Sequence, residues 1–394
     1  MTKKVAVIGA GITGITTAYY LAQSGYDVYV YEQERYPAMR TSFANGGQIS
    51  VSNSEVWTTW SNIKKAIKWL FTKDAPLLIR PKFSLSQWRW ITKFLVHTAD
   101  NSWARNTVQT VKMGLESRKL YKEIIDKEQL DFDFTESGIL HFYKDEKYWA
   151  HAQKIQELYQ GNGCEWRLLD AQEVAKKDPA LSKISAVLGG AWTGADSTGD
   201  IHKFCYELAD VLARRYSVKF FYNWAVTDLD IVLDHHDAVV ISAGVGSTKL
   251  AKLLGENIDV YPVKGYSITI NNVDPKVLPR VSLLDDQAKI VTSTLGNKFR
   301  VAGTAELTDE NYDIRRDRIE PLLRWVHENF PQINTHDYSS WACLRPMTPN
   351  MMPIVKQSDK NPKVFYNTGH GHLGWTLGPY TAKQVTGIIN GNNR

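Results

Sequence analysis

Cysteine is scarce in this chain. Three residues in 394, Cys164, Cys205 and Cys343, are too few and too scattered for a disulfide framework or for a zinc site with recognisable ligand spacing. A cytoplasmic, reducing environment suits that count. Long apolar runs are missing too: no stretch of about 18 apolar residues occurs, which excludes a spanning helix on length and leaves shallow contact with a membrane surface open. The apolar stretch 5–8 near the start is too short for a signal-peptide core, so export is not expected. Neither charge sign dominates, with 47 basic against 42 acidic side chains, and nothing global argues for nucleic acid as a partner. Asp234-His235-His236-Asp237 reads as a polar turn, and His370 and His372 alternate with glycines without a third ligand nearby, so no metal is expected. No nucleophile elbow occurs, which removes support for hydrolase chemistry.

What is present begins at the N-terminus. Residues 4–8 read as a buried strand, 9–14 as a turn, 15–24 as a helix and 27–31 as a second strand. The turn Gly9-Ala10-Gly11-Ile12-Thr13-Gly14 is a G-x-G-x-x-G in the strand-to-helix context that gives the pattern meaning. Gly9 permits the tight turn, Gly11 lets the backbone approach a pyrophosphate, and Gly14 with Ala18 allows the helix to pack closely on the sheet. Glu32, 18 residues after Gly14, is placed to accept hydrogen bonds from the adenosine ribose.

That fingerprint does not separate FAD from NAD, but three other segments favour FAD. The loop 40–50, with Ser42, Asn45, Gly46, Gly47 and Gln48, suits a backbone that follows a flavin ribityl chain. The apolar run 237–244 closes on Ala243 and Gly244, a form suited to a strand passing a dinucleotide. Gly369, Gly371, Leu373, Gly374 and Trp375 precede a predicted helix, whose N-terminus could oppose negative charge at N1/O2 of a reduced flavin.

Elsewhere the pattern predicts mostly helix over 55–125, strand over 131–143, helix over 148–159, an irregular Gly-rich stretch over 189–200 and helix over 202–216. Strands are expected over 218–222, 238–242, 261–270, 299–302 and 364–367, and helices over 319–329 and 381–389. Nucleotide-binding signals lie at both ends and in the middle, so the expected fold is α/β, with two interleaved domains.

These residues, together with Ala66-Ile67-Lys68-Trp69, Thr198-Gly199-Asp200, the segments 261–267 and 341–349, and Asn367 to Trp375, resemble the glycine oxidase and D-amino acid oxidase superfamily, and within it the bacterial D-amino acid dehydrogenases. The resemblance spans nearly the whole chain in order. It implies a Rossmann-like FAD-binding domain (1–85, 160–258 and 336–394) interleaved with an α+β substrate domain (86–159 and 259–335) built on an antiparallel sheet. It also adds Val226 to the residues against FAD and implies oxidation of free D-amino acids to imino acids, which water converts to 2-oxo acids and ammonia. A glycine- or proline-type amine oxidase on the same fold is the enzyme alternative. A non-catalytic redox sensor is the alternative of another class, one in which Arg345 would have no purpose.

Arg345, in Leu344-Arg345-Pro346, stands where similar enzymes carry the arginine that binds the substrate carboxylate, a task for which a planar guanidinium is suited. Glycine oxidases carry a further arginine in the stretch matching 369–374. None is present here, so His372 or Tyr266 is expected in its place. No catalytic base is required, because the lone pair of a neutral amine drives hydride departure to flavin N5 and desolvation selects that form. FAD is expected without a covalent bond, although Cys343 matches the position of a flavin-linked cysteine in sarcosine-oxidase-like relatives. Electrons are expected to reach quinone or another non-oxygen acceptor. An apolar stripe of Trp60, Ile63, Ala66, Ile67 and Leu70 opposite Lys64, Lys65 and Lys68, with Trp88, Trp90, Lys93 and Phe94 nearby, could touch the inner face of the cytoplasmic membrane or pack on the core.

Overall fold

The computed structural model describes residues 2–70, 75–79 and 84–391. The N-terminal unit folds as its pattern predicts, with strand Lys4–Ile8 pairing in parallel with Asp27–Tyr31 on one side and with Ala238–Ile241 on the other. The helix between them begins at Ile12, one turn earlier than expected, because extended Gly11 already serves as its N-cap. The full sheet has six strands, in the order Ile354–Gln357, Val364–Thr368, Ala238–Ile241, Lys4–Ile8, Asp27–Tyr31 and Lys219–Phe221. Only the outermost Ile354–Gln357 runs antiparallel to its neighbour. Parallel strands buried on both faces read as continuous apolar text, which is why Val5 to Ile8 and Ala238 to Ile241 were legible.

A second, nine-stranded sheet carries the cavity described below. It is mixed rather than purely antiparallel: Ser282–Asp285 pairs in parallel with Ile139–Tyr143, and Lys298–Leu307 with Leu77–Ile79. Strands Arg167–Asp170, Gly189–Thr193 and Tyr338–Met347 also belong to it, so its strands cross the expected boundaries at 85, 160 and 336. The stretch 189–200, expected to be irregular, contains the strands Gly189–Thr193 and Ser197–Thr198. Its glycines reflect crowding: a Cβ on Gly189 or Gly190 would stand 2.8 Å from a neighbouring strand's carbonyl oxygen.

The terminal helix Gly374–Ile389 starts two turns before the expected position. Gly378 and Pro379 look like a stop, but here they are interior. Pro379 has no N–H to offer the carbonyl of Trp375, and the hydroxyl of Tyr121 donates to that oxygen instead. Gly378 lies close to Ile12, where a Cβ would be 3.1 Å from Cγ1. The first and last helices thereby pack together over the parallel sheet. Among the described residues no helix is long and apolar enough to cross a membrane.

Candidate active site

The dinucleotide turn is held by contacts that only glycine permits. A Cβ on Gly14 would lie 1.8 Å from the Gly9 carbonyl oxygen, and one on Gly9, at φ +105°, would lie 2.6 Å from the Ser242 oxygen. No side chain caps the N-terminus of Ile12–Gln23 except that Ser42 Oγ accepts from Ile12 N at 3.1 Å, so this positive helix end faces the turn. Glu32 is buried, accepts from Ala10 N at 2.7 Å and Glu34 N at 2.9 Å, and has its pKa raised, chiefly by burial. Gly244 adopts φ +57° with open space where a Cβ would stand, and Ala243 is half-buried beside it. Val226 is half-buried against the apolar cluster of Ile8, Ile241 and Leu250.

The loop 44–48 is fixed from the second sheet by side chains to which the sequence assigned no role. Ser267 Oγ donates to the Ala44 carbonyl at 2.6 Å, Arg300 Nη1 to the Asn45 carbonyl at 3.0 Å, and Ser293 Oγ to the Gly46 carbonyl at 2.7 Å. Asn45 Oδ1 accepts from Gly47 N, and Gly47 turns through φ +74°. The Gln48 amide is spent on Ser282 and the Leu283 carbonyl, so its side chain serves the sheet.

Across the cavity, Gly369 at φ +76° and Gly371 at φ +57° lead into Leu373 and Gly374, where the terminal helix begins without a side-chain cap. The Trp375 ring is core, edge-on to Tyr121 and Phe204, so what this residue offers the cavity is helix N-terminal backbone. Its Nε1, like Ser242 Oγ, is buried without a hydrogen-bond partner among the described residues. Between these features and the second sheet lies a cavity of about 1630 Å³.

Arg345 lies on strand Tyr338–Met347 opposite Val263, and Cys343 on the same face opposite Gly265. A Cβ on Gly265 would sit 2.4 Å from the guanidinium, so Gly265 is what lets Arg345 lie across the neighbouring strand. Arg345 Nη1 donates to the Thr304 carbonyl at 3.0 Å, and no carboxylate among the described residues pairs with it. Burial lowers its pKa and raises that of the Cys343 thiol. His372 stacks on Trp57 at 4.8 Å, with Nδ1 buried and without a hydrogen-bond partner among the described residues. Its pKa is pushed down to about 4, by burial first and by Arg345 second, so it is neutral at ordinary pH. His370 bonds to Thr381 inside the fold.

Tyr266 is part of the cavity wall, as expected of it, but its side chain takes the other face of the strand. It is one residue from Gly265, and a strand alternates faces. Its ring belongs to the core with Ile268, Leu322 and Trp325, its hydroxyl donates to Glu306 Oε2 at 2.7 Å, and its pKa is raised by burial. A pleat separates it from the Arg345 face.

The stripe residues also divide. Helix Trp60–Trp69 has no buried residue, and Trp60 and Ile67 are 53% and 56% exposed, so the stripe is not packed on the core. Lys65, expected on the polar outer side, turns inward, its Nζ 4.2 Å over the Tyr148 ring. Trp90 is buried and donates to the Met347 carbonyl, stacking on Phe94, and Lys93 pairs with Asp259; only Trp88 of that group is an exposed aromatic.

The chain matches the family described as FAD dependent oxidoreductase over residues 4–388. It is 45% identical to D-amino acid dehydrogenase 3 of Mesorhizobium japonicum, over 98% of this chain and 97% of that protein. It is 34% identical to a D-amino acid dehydrogenase of Rhizobium rhizogenes, over 99% and 96%. Similar solved structures include glycine oxidase from Bacillus cereus, with TM-score 0.76, 19% identity, and 100% of this chain and 98% of that one covered. Another is L-proline dehydrogenase from P. horikoshii, with TM-score 0.75, 15% identity, and coverage of 100% and 94%. At those identities the likeness is one of fold.

Proposed function

The chain belongs to the family of FAD-dependent oxidoreductases, and from that premise we propose that it oxidises free D-amino acids to imino acids, which water converts to 2-oxo acids and ammonia. The observation that carries this reading is Arg345, a guanidinium that faces the cavity and that no carboxylate among the described residues pairs with. Relatives named D-amino acid dehydrogenase across the full length support the choice of substrate.

The crowded glycines and uncapped helix ends fit FAD. Gly9, Gly11, Gly14 and the Ile12–Gln23 N-terminus would hold the pyrophosphate, Glu32 the ribose, and the 44–48 backbone the ribityl chain. The start of Gly374–Ile389 would face the pyrimidine edge. Bound there, FAD supplies the two-electron hydride acceptor. Arg345 clamps the substrate carboxylate with paired donors, and the Thr304 carbonyl fixes the guanidinium. Neutral His372 adds no positive charge beside the substrate nitrogen, and the apolar ring of Trp57 favours the neutral amine.

The test is anaerobic bleaching of the flavin by paired D- and L-amino acids. D-isomers should bleach it; bleaching by L-isomers alone would overturn the assignment. Denaturation should release free FAD. Flavin that stays with the precipitate would point to a bond through Cys343.

Electrons pass to quinone rather than oxygen in this reading, at a membrane surface touched by Trp60, Ile67 and Leu70. The exposure of these residues supports it. Wild type should co-sediment with anionic vesicles, and less so after Lys64→Glu/Lys68→Glu; a protein that stays in the supernatant and is reoxidised faster by oxygen than by quinone would be a soluble oxidase.

A further inference from the structure

The cavity takes in the 44–48 backbone and the start of the terminal helix, assigned above to the flavin, and one part of its wall gathers Arg345, His372 and Trp57. Another part of its wall comes from helix Glu146–Gln160 and from the residues after strand Ser282–Asp285. There Lys65 and Lys289 place their ammonium groups 4.2 and 5.4 Å over the Tyr148 ring, and the hydroxyl of fully buried Tyr159 has no hydrogen-bond partner among the described residues. A ring flanked by cations and an unanswered hydroxyl suit a flat ligand carrying oxygen acceptors.

A line of hydrogen bonds reaches this lobe from the terminal helix's first turn. Thr376 Oγ1 accepts from Ser50 N at 3.1 Å, and Ser50 Oγ lies 3.1 Å from Ser52 Oγ. Ser52 Oγ lies 3.0 Å from His141 Nε2, His141 Nδ1 lies 3.2 Å from Asp286 Oδ2, and Lys289 Nζ donates to Asp286 Oδ1 at 2.9 Å. The next residue, Asn53, has its carbonyl 3.4 Å from His372, so the inner end of the line adjoins the Arg345 lobe. Serine, histidine and aspartate in this order suggest a nucleophile, but the geometry argues against one. The N–H groups of Val51 and Ser52 are both taken by the buried Asp196 carboxylate, which puts negative charge where an oxyanion would need donors. From Ser50 Oγ to Asp286 each side chain instead offers an atom that can accept one proton and pass on another, whereas the Ser50 N–H that anchors the line on Thr376 only donates.

We propose that the lobe bounded by Tyr148, Tyr159 and Lys289 binds the ring of a p-quinone that reoxidises the enzyme, and that Ser52, His141 and Asp286 carry a proton to it from the amino acid lobe. This rests on the quinone reading above. The balance is closed: a zwitterionic amino acid and a quinone give the iminium acid and a hydroquinone. Bound FAD would supply the carrier for two electrons and the α-hydrogen, which leaves one ammonium proton for Ser52, His141 and Asp286 to bring to the second quinone oxygen. Helix Trp60–Trp69 lends Ile63, Lys65, Ala66 and Ile67 to the cavity wall, and the exposure of Ile67 and of neighbouring Trp60 gives that wall an apolar margin for an isoprenoid tail.

The test uses FAD-loaded enzyme and menadione. Equilibrium dialysis measures menadione binding to the oxidised enzyme, and stopped flow measures reoxidation after dithionite reduction, with water standing in for the ammonium as proton source. Tyr148→Ala/Lys289→Ala should weaken binding at least ten-fold. His141→Ala should bind menadione normally, reoxidise at least ten-fold more slowly and regain rate with added imidazole. Unchanged binding in the double variant, or displacement of menadione by D-alanine, overturns the lobe. A His141→Ala protein that binds menadione and reoxidises at wild-type speed, or is slow without imidazole rescue, overturns the relay. Failure of D-amino acids to bleach the flavin, with these results intact, would count against the proposed substrate alone.

Discussion

The turn at residues 9–14 and the strand pair around Arg345 contribute to the same site by different means. In the turn, Gly14 rests on Gly9 and the helix starts from Gly11, so neighbours in sequence are neighbours in space. Around Arg345 the neighbours are Gly265, Thr304 and His372, brought together by strand register and by the loop before the last helix. A locally closed motif tolerates almost no change in its own residues. A register-built site depends on which face each residue takes, and a shift of one position reverses that.

The largest effect should come from the local motif. Gly14→Ala places a methyl group 1.8 Å from a backbone oxygen, so the cost should exceed the roughly 1–3 kcal/mol of ordinary overpacking. The protein should be colourless or insoluble, and a yellow, soluble variant would break the comparison at its firmer end.

Next is Arg345→Lys, which should keep FAD and lose roughly 2–5 kcal/mol of transition-state binding, about 30-fold to several thousand-fold in kcat/KM. Unchanged kinetics with intact flavin would leave the carboxylate without a partner.

His372 gives a smaller effect that depends on pH. Its folded pKa, about 4, lies below the ordinary 6.5, so the unfolded chain binds the proton more readily. Its contribution to stability is complete above pH 6.5 and is lost as pH falls toward 4, up to roughly 3 kcal/mol. His372→Asn should flatten the slope of denaturation midpoint against pH in that window; an unaltered slope would mean that the ring is solvated.

The smallest is Tyr266→Phe. It removes a hydrogen bond to Glu306 Oε2 while Arg315 still holds Oε1, so stability should fall by about 1 kcal/mol while kcat/KM stays within about two-fold. A large kinetic loss would return Tyr266 to the site and undo the face assignment.

The sequence by itself determined the strand, turn and helix at the N-terminus, the FAD class, and Arg345 as a candidate, because each rests on contiguous residues or on a motif with its own context. It also showed that Trp60–Trp69 is two-sided, without saying what the apolar side meets. Tertiary structure decided the rest. Gly265 makes room for the guanidinium, and Tyr266 points the other way because the pleat alternates. Ser267, Ser293 and Arg300 clasp the 44–46 loop from strands far along the chain. Ser52, His141 and Asp286 carry no signature in the text, since nothing in linear order says that three separate segments close into one hydrogen-bonded line. Pairing between distant strands fixes such contacts, and register is a property of the packed sheet.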